Sequence, residues 1–308
     1  MTLQQMEYVI ALDSERNFVK AATKCFVTQP TLTMQVKKLE NEIDLMLFDR
    51  TKKPLEPTSE GVHFIAQCRD VLHEVAILKQ LVSSEKDSIN GVFKIGIIPT
   101  LAPYIMPQFL EDFNKNYPNS KLQIKEMQTL DIIKAIKSDT LDIGIMVTPL
   151  DEPALKEIPL FYEPFLFYHG KTNPFADKEK IAISDLENKT VLLLEEGHCF
   201  RNQALQICKN HSTADELGFE YRSGTIETLK NMVKRDMGFT LVPKLAINES
   251  DKGLYQTFED PEPVREVSLV THKSFNRIKL LQAFQDQFNA TVPDSLKKTH
   301  RKKRITWR

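Results

Sequence analysis

Cysteine is scarce, with four in 308 residues, and none falls in the paired C-x-x-C spacing of a zinc site. So few thiols cannot form a disulfide framework, and a special cysteine here would be a reactive one. No apolar run approaches the ~18 residues of a membrane span. Met1 to Ala11 holds acidic Glu7 and no basic cluster ahead of its apolar positions, unlike an export leader. These absences predict a cytoplasmic protein with no membrane partner, no metal and no cofactor. A charge excess is missing too: 41 basic and 42 acidic side chains leave −1, which carries no global hint of nucleic acid. The distribution is uneven, because Lys297 to Arg308 holds seven basic residues and no acidic one, so −8 on the first 296 residues balances +7 in the tail. Such a tail reads as a solvated, mobile end in preference to an auxiliary DNA contact. The first 90 residues carry more acid than base, so DNA binding there would rest on local geometry.

What is present suffices for about two domains of ~150 residues, with 41% hydrophobic residues to fill their cores. The first 57 residues read as short helices, with apolar stripes at Leu3, Met6, Val9 and Ile10, at Phe18, Ala21, Ala22 and Cys25, and at Leu32, Val36, Leu39 and Ile43. Thr28 suits the cap of the third helix, with Pro30 in its first turn. Only Phe26 and Val27 separate the second and third stripes, which is helix-turn-helix spacing. Arg50 to Pro57 is too proline-rich for helix and suits a short β-wing. From a cap at Thr58, Ile65, Cys68, Leu72, Val75 and Val82 form a narrow seam broken at Lys79. That seam predicts a dimerising helix, the alternative being a helix packed on its own domain. The polar stretch Ser83 to Gly91 reads as a boundary.

On the third helix the apolar stripe must face the core, leaving Pro30, Thr31, Thr33, Met34, Lys37 and Lys38 on the other side and Gln35 at its edge. Short polar side chains near such an N-terminus can reach base edges in a major groove while lysines sit on phosphate. Arg50, Lys52 and Lys53 of the wing could hold the flanking backbone. On pattern alone, a helical hairpin with an ordinary solvated face stands equally beside this reading.

Beyond Gly91 apolar strands alternate with helices. Strands are predicted at Phe93–Ile98, Leu122–Lys125, Leu141–Val147, Phe165–Tyr168, Val191–Leu194, Thr240–Val242 and Val267–Thr271. Helices are predicted near Met106–Asn116, Leu130–Ser138, Phe200–Lys209 and Ile226–Arg235. The alternation argues for two α/β lobes with a cleft near strand C-termini.

Cys199 and Cys208 lie nine residues apart. If a helix joins them, their Cα atoms are roughly 13 Å apart on opposite faces, whereas a disulfide needs about 7 Å or less. Oxidation would therefore have to unwind the helix, coupling thiol chemistry to conformation. Cys199 opens that helix beside His198, with Arg201 close in sequence, a setting expected to favour the thiolate that attacks an O–O bond. On the residues alone, two buried cysteines filling a core is the commoner fate. Cys25 and Cys68 read as packing residues.

The run Phe18-x-x-Ala21-Ala22, Val27-Thr28-Gln29-Pro30-Thr31-Leu32-Thr33-x-Gln35-Val36-x-x-Leu39-Glu40, Leu47-Phe48-Asp49-Arg50-Thr51 and Thr58-x-x-Gly61 resembles LysR-type transcriptional regulators. So do Leu141-Asp142-Ile143-Gly144-Ile145 and Gly238-Phe239-Thr240-Leu241-Val242-Pro243. Thr33 stands where many relatives carry serine, and it keeps the hydroxyl. The resemblance implies an α plus α/β chain: a winged helix-turn-helix over residues 1–58, a dimerising linker helix over 59–90, and a two-lobed, periplasmic-binding-protein-like regulatory domain over 91–296. Lobe I would span about 91–162 and 269–296, lobe II about 163–268, and 297–308 would be the basic tail. It implies a regulator and not an enzyme, a dimer of dimers on double-stranded promoter DNA, with RNA polymerase as a further partner. Gln29, Pro30, Thr31, Thr33, Gln35, Lys37, Arg50 and Lys52 would contact that DNA.

Within the family, Gly197-His198-Cys199-x-Arg201-x-Gln203-Ala204 with Cys208 is similar to the peroxide-sensing branch, as are Ile98-Pro99-Thr100-x-x-Pro103-Tyr104, Gln128-Thr129 and Glu227-Thr228-Leu229-Lys230-Asn231-Met232-Val233. This likeness reverses the bland reading of the cysteines. It implies hydrogen peroxide as the signal, Cys199 as the peroxidatic thiol and Cys208 as the resolving one. Thr100, Thr129 and His198 would hold peroxide, Arg265 would help the thiolate, and a reversible disulfide would control oxidative-stress genes. Asn202 departs from the acidic residue of some relatives, and the tail has no counterpart.

Overall fold

The computed structural model describes residues 1–82, 89–172, 175, 177–187, 191–208, 223–297 and 302–307. Parts of several expectations lie outside them: Ser83 to residue 88 of the boundary, Lys209, and Lys298, Arg301 and Arg308 of the tail. The side chains of Lys79 and Val82 likewise lie outside the description. The chain divides into two compact units, Met1–Lys86 and Asp87–Arg308.

In the first unit, helices α1 (Leu3–Glu15), α2 (Phe18–Lys24) and α3 (Gln29–Glu42) are each started by a side-chain cap. Thr2 and Gln5 form a capping box on α1, Asn17 accepts from the Val19 and Lys20 amides, and Thr28 accepts from the Thr31 amide. Val9, Leu12, Ala21, Leu32, Val36 and Leu39 close the core between them, as the stripes require. Strands β1 (Phe48–Asp49) and β2 (Glu56–Pro57) pair antiparallel as the wing. Helix α4 (Ser59–Val82) follows, and its Gly61 amide donates to the Thr58 hydroxyl at 2.9 Å. The narrow seam needs correction at its start. Ile65 and Cys68 are buried within their own unit, where α4 packs on α1 and Arg69 pairs with Asp13. Further along, Val71, Val75 and Leu78 border an apolar groove at the surface of α4, and Val62 in its first turn is exposed as well.

The second unit is built on a mixed sheet. Strands β3 (Gly91–Ile97), β4 (Ser120–Glu126) and β5 (Ile143–Thr148) are parallel, with α5 (Ala102–Asn116) and α6 (Thr129–Lys137) as their crossovers. Two long strands, β6 (Leu155–Tyr168) and β10 (Glu262–His272), pair antiparallel and run through both lobes. Their residues change core along the way: Phe161, Val267 and Leu269 join one cluster, Phe165, Leu166 and Phe167 the other. Between β6 and β10 in the chain come β7 (Lys180–Ile181), α7 (Cys199–Ile207), α8 (Ile226–Val233), β8 (Thr240–Pro243) and β9 (Tyr255–Phe258). Helices α9 (Ile278–Thr291) and α10 (Asp294–Lys297) return to the first core. There Phe109 stacks with Phe113 and Phe288 at centroid distances of 5.4 and 4.5 Å, contacts worth about 0.5–1.5 kcal/mol each beyond area burial.

Two further expectations are corrected. Val191–Leu194 is not a strand but makes isolated bridges, Val191 to Phe239 and Leu194 to Ser223. Among the described residues of the tail, 302–307 are not a solvated end: Lys302–Arg304 is strand β11, parallel to β10 in the register Glu262 to Lys302, Pro263 to Lys303 and Val264 to Arg304. Ile305 and Trp307 after it are buried. Apolar side chains at spacing two, following a basic run, outweigh the charge because the edge of β10 beyond β5 is open to receive them.

Candidate functional site

Helix α7 begins at Cys199 because the chain before it turns sharply. Gly197 has φ +94°, and a Cβ there would lie 2.3 Å from the Gln128 side chain. His198 is the extended cap residue, and the helix runs to Ile207, with the Cys208 amide donating to the Ala204 carbonyl at 2.8 Å. Neither cysteine is in a disulfide, and both are buried. Cys199 belongs to the first lobe's core, while Phe200, Ala204, Ile207 and Cys208 belong to the second. The expected joining helix is thus present.

Arg265 and Glu163 are cross-strand partners where β10 and β6 pass from one core to the other. Both are fully buried. Arg265 Nε and Nη2 donate to Glu163 Oε2 at 2.9 and 2.8 Å, and its Nη1 and Nη2 donate to the Thr100 hydroxyl and carbonyl, each at 3.0 Å. The guanidinium also sits over the Phe200 ring, 5.5 Å from its centroid. The Leu245 amide donates to Glu163 at 2.8 Å, completing a satisfied buried pair.

Burial pushes the Cys199 thiol above its ordinary value, against the opposing pull of Arg265 and of the Thr129 hydroxyl beside the sulfur. The expectation of a thiolate-favouring helix start is therefore corrected for this conformation, because desolvation outweighs the cation. Arg201, the cation expected from sequence proximity, donates instead to the Leu194 carbonyl at 3.1 Å. Thr129 Oγ1 is buried and finds no oxygen or nitrogen partner among the described residues. Burial also pushes the Cys208 thiol up, to about 12. Burial holds His198 below the usual imidazole range, although Glu195, with Oε1 at 3.8 Å, raises it in part. His198 also borders a cleft of about 760 Å³ together with Pro99, Gln128, Asp131, Lys134 and Thr140.

Thr129 and Arg265 thus act on the Cys199 thiol, Thr100 is tied in through Arg265 and His198 is the preceding cap residue, while Cys208 is held away at the far end of the helix. Sequence reasoning missed Glu163, whose signal was a lone carboxylate inside the apolar run of β6. It also missed what Asn202 and Gln203 do, their side chains donating to the Trp307 and Ile305 carbonyls at 3.3 and 2.9 Å.

On α3, Gln29, Pro30, Lys37 and Lys38 are exposed and Thr31, Thr33 and Gln35 half-buried. The Thr31 and Thr28 hydroxyls share a 2.8 Å hydrogen bond, and the Gln5 amide donates to Gln35 Oε1 at 3.2 Å, fixing its direction. Lys52 is exposed beside Glu56. Arg50 departs from the expectation of a free wing cation. Its Nη2 donates at 2.7 Å to buried Glu40, which also accepts the Leu47 and Phe48 amides, and its guanidinium stands over the Phe18 ring.

The bacterial regulatory helix-turn-helix family of lysR type matches residues 3–62, and the LysR substrate binding domain family matches residues 86–293. A hydrogen peroxide-inducible genes activator of Pectobacterium carotovorum subsp. carotovorum is 36% identical, covering 88% of this chain and 90% of that one. The DNA-binding transcriptional dual regulator OxyR of Escherichia coli K12 is also 36% identical, over 88% of this chain and 89% of that one. Among solved structures, a variant of full-length OxyR from Pseudomonas aeruginosa superposes with a TM-score of 0.78 at 31% identity, covering 94% of this chain and 95% of the other.

Proposed function

The chain belongs to the LysR family of bacterial transcription regulators, and from that premise we propose that it is a cytoplasmic, peroxide-responsive activator of the OxyR kind, switched by a reversible Cys199–Cys208 disulfide. The observation that carries the reading is the placement of the two thiols at opposite ends of one short helix and in two different cores.

The Cys199 thiolate attacks one oxygen of hydrogen peroxide. An S–O bond forms as the O–O bond breaks, and the departing hydroxide takes a proton to leave as water. The Thr129 hydroxyl, which has no other polar partner, supplies a hydrogen bond to the reacting atoms, while Thr100 and Arg265 hold the other side of the pocket. His198 lies where the cleft meets the helix start, so a neutral imidazole borders the way in. The Cys208 sulfur then attacks the sulfenic sulfur: the S–S bond forms, and the hydroxyl leaves as a second water with the Cys208 proton. An external thiol reductant reverses the bridge.

Because roughly 13 Å of helix must collapse to about 7 Å or less, the second step unwinds α7. The rebuilt segment changes how subunits meet, and a dimer of dimers joined through α4 then spans different DNA half-sites. Short polar side chains of α3 read the bases while Lys37 and Lys52 hold phosphate. Activation of oxidative-stress genes through contact with RNA polymerase follows from that rearrangement.

The test is peroxide titration of wild type, Cys199→Ser and Cys208→Ser, with free thiols counted and DNA footprints compared. Wild type should lose two thiols and change its footprint, and neither variant should form the bridge. A wild type that keeps all its thiols at micromolar peroxide would sink the reading.

A further inference from the structure

We propose that the carboxy-terminal segment from Lys302 to Trp307 is a strap that positions the Cys199 helix, holding α7 folded while the thiols are reduced and coming off when the disulfide forms. Ile305 and Trp307 are its positioning residues. The proposal rests on the disulfide reading above and adds to it the element that sets how readily the helix gives way.

The strap is anchored first to the sheet. After β11 the Ile305 amide donates to the Val264 carbonyl at 2.8 Å, one residue before Arg265. Arg304 pairs at 2.9 Å with buried Glu266, whose other carboxylate oxygen takes the Thr148 hydroxyl at 2.7 Å. From this base the chain crosses α7. Gln203 Nε2 donates to the Ile305 carbonyl at 2.9 Å, Asn202 Nδ2 to the Trp307 carbonyl at 3.3 Å, and Thr306 meets Gln206 at 3.4 Å. Positions 202, 203 and 206 share one face only while the chain between them is helical. All three contacts therefore recognise the helix and not merely its sequence.

The side chains say the same. Ile305 packs in the core that holds Phe200, Ala204, Ile207 and Cys208, and Trp307 in the core that holds Cys199. The strap thus bridges the two cores that the cysteine helix itself bridges. Bringing Cys208 to Cys199 removes the helical array that Gln203, Asn202 and Gln206 present, and with it the partners of the Ile305 and Trp307 carbonyls. A strap that binds the folded helix and not the unwound one must, by linkage, oppose unwinding and be released by it.

Trp307 is the only tryptophan in the chain and is 5% exposed, so its emission reports the strap directly. In wild type, peroxide should shift that emission to the red in step with the loss of two thiols. Cys208→Ser, which stops at sulfenic acid, should keep the blue emission. Removing residues 302–308 should speed disulfide closure, followed from the preformed sulfenic acid in the Cys208-containing chain, about fivefold or more, the loss of even one net hydrogen bond being worth that factor. Full loss of two thiols with unchanged Trp307 emission overturns the strap and leaves the disulfide switch standing, and so does truncation without effect on closure. If wild type loses no thiols, the switch reading itself falls and the strap falls with it.

Discussion

Cys199 and Cys208 bracket one nine-residue helix, and each is buried in the core of a different lobe. Either thiol can therefore be moved only by disturbing a packed core, and joining them disturbs both. A helix this short has little stability of its own, so its persistence depends on what packs against it: Phe200 under Arg265, Gln203 and Asn202 on the strap, and Ala204 and Ile207 in the second lobe.

The first prediction concerns pH. Burial raises the Cys199 thiol above its ordinary value despite Arg265 and Thr129. The fold therefore favours the protonated form, a contribution to stability fully present below the ordinary thiol range and lost as pH climbs through the raised value. Only the thiolate reacts, so sulfenic acid formation in Cys208→Ser should accelerate about tenfold per pH unit from about pH 6.5 to about pH 8.5. Stopped-flow measurement across that range checks it. A rate already level at neutral pH would mean that a thiolate is present at rest.

Glu163 shares the charge of Arg265 and so weakens its pull on Cys199. Glu163→Gln should leave the guanidinium less neutralised, lower the Cys199 pKa and speed the peroxide reaction at pH 7. The same change breaks a fully buried ion pair, a loss on the order of 3–5 kcal/mol, so the melting temperature should drop. Rate and melting curve measured on one preparation separate the two effects. A stable protein with an unchanged rate would show that Glu163 does not temper Arg265.

The contrast between Glu163 and Cys199 shows which parts of the site could be read in advance. Periodicity found α3 and most strands of the second unit, and cap and proline chemistry found Thr28 and the wing, because each is set by the local sequence. The cysteine helix was legible for the same reason. Glu163 facing Arg265 was not, since residues 102 apart in the chain meet only through the antiparallel register of β6 and β10. Arg50 looked like a phosphate contact because nothing local reveals that Glu40, ten residues away, is buried beneath it. The tail misled for the opposite reason: its charge is local, but its burial depends on an open edge of β10.

For DNA, the division of labour on the first unit is specific. Lys37→Ala and Lys52→Ala should weaken binding to all sequences and lower the salt slope by about one each. Thr31→Ala and Gln35→Ala should change sequence preference instead. Arg50→Ala should act mainly through folding, costing roughly 1–2 kcal/mol after solvent screening of a half-exposed guanidinium, because Glu40 is left buried without its cation. Binding isotherms at several salt concentrations, with unfolding curves, distinguish the three classes.

The exposed end of α4 gives a prediction about assembly. Val75 and Leu78 line an apolar groove with Val71, while Ile65 and Cys68 are already occupied within the same unit. Leu78→Glu should dissociate the proposed oligomer without unfolding the chain, whereas Ile65→Glu should unfold the first unit. Sedimentation together with circular dichroism checks both. An intact oligomer in Leu78→Glu would move the dimer contact elsewhere.

His198 supplies the last prediction, and its sign is opposite to that of the thiols. Desolvation lowers its pKa and Glu195 only partly restores it, so the fold favours the neutral ring. That preference stabilises the protein above the ordinary imidazole value of about 6.5 and is lost as pH falls through the lower folded value. Other carboxylates titrate in acid as well, so the informative quantity is the difference in melting temperature between wild type and His198→Asn, which keeps a polar, uncharged side chain at the helix start. The difference should be constant above the ordinary imidazole value and should move against wild type as pH is lowered below it. A difference that stays flat across that range would place the imidazole in solvent, contrary to its burial between the cleft and the first turn of α7.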